Sequence, residues 1–340
     1  MSEVLTPQVT GFISPALKPT EHKENTFSMI RQGTATNSLT KTRTKSGNYS
    51  IDDVTGKVTV KRSGFIVTME GLNSIDGLKN STFKLLDALS VVFTENGAKS
   101  PDITMSLDDY MSKCGLKDKK EARKQVKADL ETLFNARISF KEKRKKGESQ
   151  DFADVRICEA KGIKNGVITF SFSATFYKLM LGYPVMPLHP LLWRLGTKRN
   201  DNSLCIFRKL LEHKNMNYGK KNEDTIAVKT LLENAPYLPS YDEVMQTGRQ
   251  LTQRIIEPLE RDLNGLEEAL KWNYCHRNNE PLTDEELANF SYALFKELLV
   301  KVSWNDYPDQ SKRLEQKAEK LNEEKAKKKR TYKKKAEPEA

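Results

Sequence analysis

Two long stretches of this chain run through the same elements in the same order, and that duplication limits the possible fold more than any single motif. In the first, STFKLLDALSVVF places Phe83, Leu86, Leu89 and Phe93 at helical spacing, with Ser81 as the expected N-cap. A short apolar strand, ITMSL, precedes a short helix in LDDYMSKCGL that Gly115 should end. Asp118 caps a longer helix, KKEARKQVKADLETLF, whose Ala122, Val126, Leu130 and Leu133 form its apolar stripe. The strands ARISFKE, DFADVRICEA and VITFSF follow. In the second stretch the amphipathic SLCIFRKLLEHKN, the strand-like TIAV and the helix KTLLENAPYL, stopped by Pro236, repeat that order. A helix in SYDEVMQTGRQLTQRIIEPLERDL, the strand EALKWNYCH, a polar turn and the apolar FSYALFKELLVKVSW complete it.

Helix, strand, helix, helix, strand, turn, strand is the order of a winged helix, so the expected class is α+β. It would hold two tandem winged-helix domains and disordered basic tails. Residues 1–55 are rich in Thr, Ser, Asn, Gly and Lys without a sustained period, and read as a flexible N-terminal arm. Order is expected to begin at Lys57, with strands KVTV and GFIVTME around an Arg62-Ser63-Gly64 turn. The first domain is placed at 56–185 and the second at 186–308, with the boundary punctuated by Pro184, Pro187 and Pro190. Residues 309–340 form a charged tail whose Lys325–Lys335 cluster holds no acid. A nuclear-localisation reading of KKKR is open there and matters only in a eukaryote.

Charge narrows the partner. The 57 Lys and Arg against 46 Asp and Glu leave a formal +11, which favours a polyanion such as nucleic acid or an anionic membrane surface. The stretch Thr247–Leu263 has two unlike faces. Leu251, Ile255, Ile256, Leu259 and Leu263 face a core, while Gln246, Gln250, Gln253, Arg254, Glu257 and Arg261 share the other side. Gln and Arg are long planar donors suited to base edges and phosphates, which makes this a candidate recognition helix. Lys120, Lys124 and Lys127 lie opposite the apolar stripe of their helix. The basic turn with Lys141, Lys143, Arg144, Lys145 and Lys146 is expected to be the first domain's wing, where closely spaced cations meet a phosphate backbone.

Other classes find little support. No stretch approaches the roughly 20 apolar residues of a membrane span, and no basic region leads into an apolar run at the N-terminus. A cytoplasmic protein without membrane partners is expected. Cys114, Cys158, Cys205 and Cys275 form no CxxC pair, and the four histidines include no close pair to grip a metal. No GxxxxGK[ST] loop is present. Cys275 and His276 adjoin on a strand and point to opposite faces, which defeats a catalytic pair. The expectation is a non-enzyme with no cofactor.

With LLDAL, ITMSLDDYM and the basic helix in the first half, and LLEH, IAVKTLL, RQLTQRIIEPLERDL and LKW in the second, residues 56–307 resemble the replication initiator (Rep) proteins of theta-replicating bacterial plasmids. That resemblance implies sequence-specific binding of double-stranded DNA at repeated origin sites, origin opening, and recruitment of a host replication initiator and helicase. It also implies a homodimer, formed through the first domain, in equilibrium with monomer. By the same resemblance Gln250, Gln253 and Arg254 would read bases. Arg249, Arg261, Lys120, Lys124, Lys127 and the turn from Lys141 to Lys146 would contact phosphates. Pro258 should kink or end the recognition helix, leaving Arg261 outside the groove. A winged-helix transcriptional repressor without a replication role needs the same grooves read and stays open.

Overall fold

The structure is a computed structural model that describes residues 27–33, 36–37, 49–52, 54, 58–62, 65–70, 79–142, 152–197, 201–247, 250–312 and 315. Four strands come first: β1 (Ser28–Arg31), β2 (Tyr49–Ile51), β3 (Val58–Arg62) and β4 (Phe65–Glu70). The first repeat holds α1 (Asn80–Glu95), β5 (Asp102–Ser106), α2 (Leu107–Cys114), α3 (Lys119–Asn135), β6 (Arg137–Glu142), β7 (Phe152–Arg156), β8 (Cys158–Lys164) and β9 (Val167–Phe172). α4 (Ala174–Gly182), β10 (Val185–Leu188) and a 3-10 turn at Pro190–Trp193 lead onward. The second repeat holds α5 (Ser203–Asn217), β11 (Thr225–Ala227), α6 (Val228–Glu233) and α7 (Tyr241–Thr247). A π-helical turn at Thr252–Ile256 runs into α8 (Glu257–Asn264), followed by β12 (Leu270–Cys275), α9 (Asp284–Ala288), α10 (Tyr292–Phe295) and β13 (Leu299–Trp304).

The duplication is visible in the sheets. The first repeat builds an antiparallel sheet in the order β5-β9-β8 and the second builds β11-β13-β12. In each, the strand between the first two helices pairs with the last strand of the repeat, and that strand pairs with the one that precedes it, β8 in the first repeat and β12 in the second. Both are winged helices.

Local chemistry sets the helix ends as the sequence suggests. Ser106 accepts from the Asp108 and Asp109 amides, and Asp118 from those of Lys120 and Glu121. Gly115 ends α2 with φ 65°, a left-handed conformation that costs glycine nothing. Ala122, Val126, Leu130 and Leu133 are buried, as are Phe83, Leu86, Leu89 and Phe93 of α1. Ser81 is not a cap. α1 starts two residues earlier than that cap would set, with Lys79 in the cap position, and the Ser81 hydroxyl donates to Asp129 Oδ1 at 3.1 Å.

Three larger differences arise from contacts distant in sequence. First, the strands that flank the basic turn do not join the winged-helix sheet. β6 and β7, which flank it, belong to a separate five-stranded sheet in the order β2-β3-β4-β6-β7. Buried Ile157 bends the chain between β7 and β8, so the wing is the hairpin β8–β9, turning at Asn165 and Gly166 with positive φ. Second, order begins before Lys57. β1 pairs antiparallel with β10 and buries Ile30. Third, the proline-punctuated boundary is packed. Leu191, Leu192 and Trp193 are buried, and His189 Nδ1 caps their turn by accepting from the Leu191 amide at 3.0 Å. α4 carries no marked signal beyond Phe176 and Met180 four apart; both are buried.

The two repeats share one continuous apolar core. Their first helices meet through an ion pair between Asp87 of α1 and Arg208 of α5, both nearly buried. Asn80 Nδ2 donates to the Gly196 carbonyl at 3.1 Å. After β13, Tyr307 donates to Asn215 Oδ1 at 2.6 Å and accepts an edge contact from Phe27, whose other neighbour is His189. The second repeat is thereby held between both ends of the described chain.

Candidate nucleic-acid interface

The helix that can enter a groove is α3 in the first winged helix and, in the second, the helical run that ends in α8. On α3 the buried stripe faces inward, which leaves Lys120, Arg123, Lys124 and Lys127 exposed at the i, i+3, i+4, i+7 positions of one face. Arg123 was not among the residues singled out by sequence, although the same spacing places it there. The basic face continues onto the wing hairpin. Lys161 of β8 pairs with Glu131 of α3 and lies 4.9 Å from the centroid of the Phe134 ring. Burial and the neighbouring Lys127 both hold the Lys161 ammonium below its usual pKa. Exposed Lys164 extends the patch to the hairpin turn. Of the basic turn itself, Lys141 lies on β6 opposite Ile66 and Phe152, in the separate five-stranded sheet. Lys143, Arg144, Lys145 and Lys146 lie outside the described residues.

In the second winged helix the candidate recognition helix starts at Leu251, four residues after Thr247, where α7 ends. Gln246 is therefore on α7, and Arg249 lies outside the described residues. Helical structure then runs unbroken from Leu251 to Asn264, so Pro258 neither ends nor interrupts it. The reason is the π-helical turn just before it. The Glu257 amide donates to the Thr252 carbonyl, five residues back, and Pro258 falls in the first turn of α8. A missing N–H costs little there.

Gln250, Gln253, Glu257 and Arg261 are exposed, Arg254 is half-buried, and Ile255, Ile256, Leu259 and Leu263 are buried. Arg261 therefore stays on the helix and is exposed, but two of its N–H groups donate to Asp262 Oδ1 at 2.9 and 3.1 Å, which takes up part of its hydrogen-bonding capacity.

The helix is stitched to its own domain by polar bonds as well as packing. Buried Asp262 Oδ2 accepts from the backbone N–H and side-chain amide of Asn202, at the start of α5. Asn202 Oδ1 in turn accepts from the Tyr237 amide at 2.8 Å, between α6 and α7. On the sheet side, Trp272 Nε1 donates to Asn264 Oδ1 and the Tyr274 hydroxyl donates to Glu260 Oε1. Burial and the Glu260 charge both raise the Tyr274 pKa, so it remains a neutral donor. None of this network follows from apolar spacing. Its only sequence signal is an acid, Asp262, at a position the period assigns to the buried side.

Among the described residues no group of His, Cys, Asp and Glu is arranged to hold a metal ion, and no helix is long and apolar enough to cross a membrane. What the geometry offers is two winged helices of one sheet order, presenting α3 and α8. The chain is thus a tandem winged-helix protein. Residues 66–183, from β4 through α4, match the family described as Initiator Replication protein, WH1. No curated protein sequence matches it. Solved structures similar to it include domains 2 and 3 of RctB as a selenomethionine derivative, at 12% identity and TM-score 0.46, with 76% of this chain and 92% of that one covered. A second RctB domain 2–3 crystal structure is similar at 12% identity and TM-score 0.35, covering 66% and 77%.

Proposed function

We propose that this chain is a replication initiator that binds repeated double-stranded sites at a plasmid origin and catalyses no reaction. Gln250, Gln253 and Arg254 read base edges in one major groove, while Lys120, Arg123, Lys124, Lys127 and Lys164 hold the backbone of a neighbouring segment. Bound copies help open the duplex and recruit a host initiator and helicase, and a homodimer exchanges with the binding monomer. The observation that carries this reading is the basic face of α3, continuous with the wing hairpin of a domain that matches an initiator family.

Footprinting the DNA that flanks the gene, against random competitor, tests it. Protection of several evenly spaced direct repeats is expected. A single inverted repeat over a promoter would point to a repressor, and no specific protection would overturn the proposal.

Two substitutions separate the roles. Arg254→Ala should cost about 1–3 kcal/mol on specific sites and relax base preference; equal weakening on random DNA would make Arg254 a backbone contact. Changing Lys120, Arg123, Lys124 and Lys127 together to Gln should weaken binding to every sequence. The slope of log K against log salt should then fall by roughly 0.9 per lost phosphate contact. An unchanged slope in a salt titration would remove α3 from the interface.

A further inference from the structure

A cavity of about 510 Å³ opens at the junction of the two domains, within the range of small-molecule sites. One wall is the turn between α2 and α3, Gly115–Asp118, and the opposite wall is Gly196 and Thr197, which lead into the second domain. Lys84 of α1 lines it and is only 6% exposed, yet it makes no hydrogen bond or ion pair with any described residue. Asp201, the acid whose charge acts on it, is already occupied, accepting from the Gly196 and Ser203 amides. Its ammonium lines the cavity on a side chain otherwise removed from solvent, and this burial lowers its pKa.

The rest of the lining defines what could supply the partner. Leu116, Ala122 and Val126 form an apolar surface, and Ser81 and Gln125 add hydrogen-bonding groups. Asp118 and Glu121 also line the cavity and offset the charges of Lys84 and the exposed Lys117, which disfavours a polyanion. Cys114 stays a neutral thiol, because burial raises its pKa.

We propose that this cavity is a binding site for a small organic monoanion. Its carboxylate, sulfonate or singly charged phosphate pairs with Lys84, and its apolar body rests on Leu116, Ala122 and Val126. The occupant touches the helix-turn-helix of the first domain and the connection to the second, a position from which it stiffens one against the other. Binding at this site does not depend on the DNA reading and is measured without DNA.

Fluorescence titration of the full chain with anilinonaphthalene sulfonate is the test, with the uncharged phenylnaphthylamine as comparator. Saturable binding of one sulfonate dye per chain is expected, with weaker binding of the neutral dye. Lys84→Met should weaken the sulfonate dye about tenfold or more and leave the neutral dye unchanged. The same variant should unfold at a higher temperature than the parent in the absence of dye, since a charge on a largely buried side chain has been removed. Ala122→Leu, which keeps Lys84 and fills the apolar wall, should weaken both dyes. Equal affinity of the parent and Lys84→Met for the sulfonate dye would overturn the assignment, as would undiminished binding by Ala122→Leu.

Discussion

Asp87→Ala is expected to destabilise the protein by about 3–5 kcal/mol, because it strands the Arg208 guanidinium between the two domains. Arg208 is about one-tenth exposed, with Phe83 beside it at 5.9 Å, and it cannot shed its charge. The reverse change, Arg208→Met, should cost less near pH 5 than near pH 8, because a carboxyl can neutralise itself by taking up a proton. Burial already raises the Asp87 pKa above the ordinary 3.8, and Arg208 pulls it back down. Without Arg208 the folded-state value rises further. An acid whose folded pKa lies above its unfolded one binds more protons when folded between those values, so stability falls as pH rises through that window. Asp87→Leu combined with Arg208→Met should recover most of the loss, since an apolar pair of similar volume avoids both desolvation costs. Urea denaturation of the three variants at about pH 5 and about pH 8 checks the sign as well as the size. A near-parental Asp87→Ala would mean that the pair contributes nothing to holding α1 against α5.

What could be read without coordinates was local. α2 and α3 announce themselves through caps and apolar residues three and four apart, and those signals depend on nothing beyond the helix. Strand partnership does not work that way. β6, β7, β8 and β9 alternate alike, and only the bend at Ile157 and the hydrogen bond from the Ser173 amide to its carbonyl decide which hairpin joins β5. Alternation alone therefore does not say which of the two hairpins is the wing. β1 has four residues and one buried side chain, too short to show a period. Its partner β10 contains Pro187, which reads as a breaker but is tolerated in a two-stranded pair.

The π-helical turn did leave a trace. Leu251, Ile255, Leu259 and Leu263 recur every fourth residue, and over those twelve steps a 3.6-residue helix drifts by about 120°. One turn closed over five residues absorbs most of that drift, which keeps all four side chains on the buried side and moves Pro258 to where it does no harm. At the candidate interface the same logic holds. Exposure of Lys120, Lys124 and Lys127 followed from the period of α3, whereas the bond between Arg261 and Asp262 and the fixing of the whole helix through Asn202 did not.

That fixing leads to the second large effect. Asp262→Ala should cost about 3–5 kcal/mol, since two buried donors of Asn202 lose a charged acceptor and each orphaned group carries roughly 1–3 kcal/mol. Stability is only half of the expected result. Asp262 ties the candidate recognition helix to the start of α5, and Asn202 passes that tie on to the Tyr237 amide, so all three parts of the helix-turn-helix share one buried network. Base reading requires side chains held to within a fraction of a helical turn, while backbone attraction does not. The variant should accordingly lose discrimination between specific and random DNA while keeping its non-specific affinity. That affinity should even rise slightly, because Arg261, released from Asp262, regains a full guanidinium for phosphate. Asp262→Asn keeps an acceptor for the Asn202 amides and should retain most of the stability and the discrimination. Competition binding at fixed salt, run beside thermal denaturation, separates these outcomes. Equal loss of specific and random binding by a folded Asp262→Ala protein would show that the network supports the fold without aiming the helix.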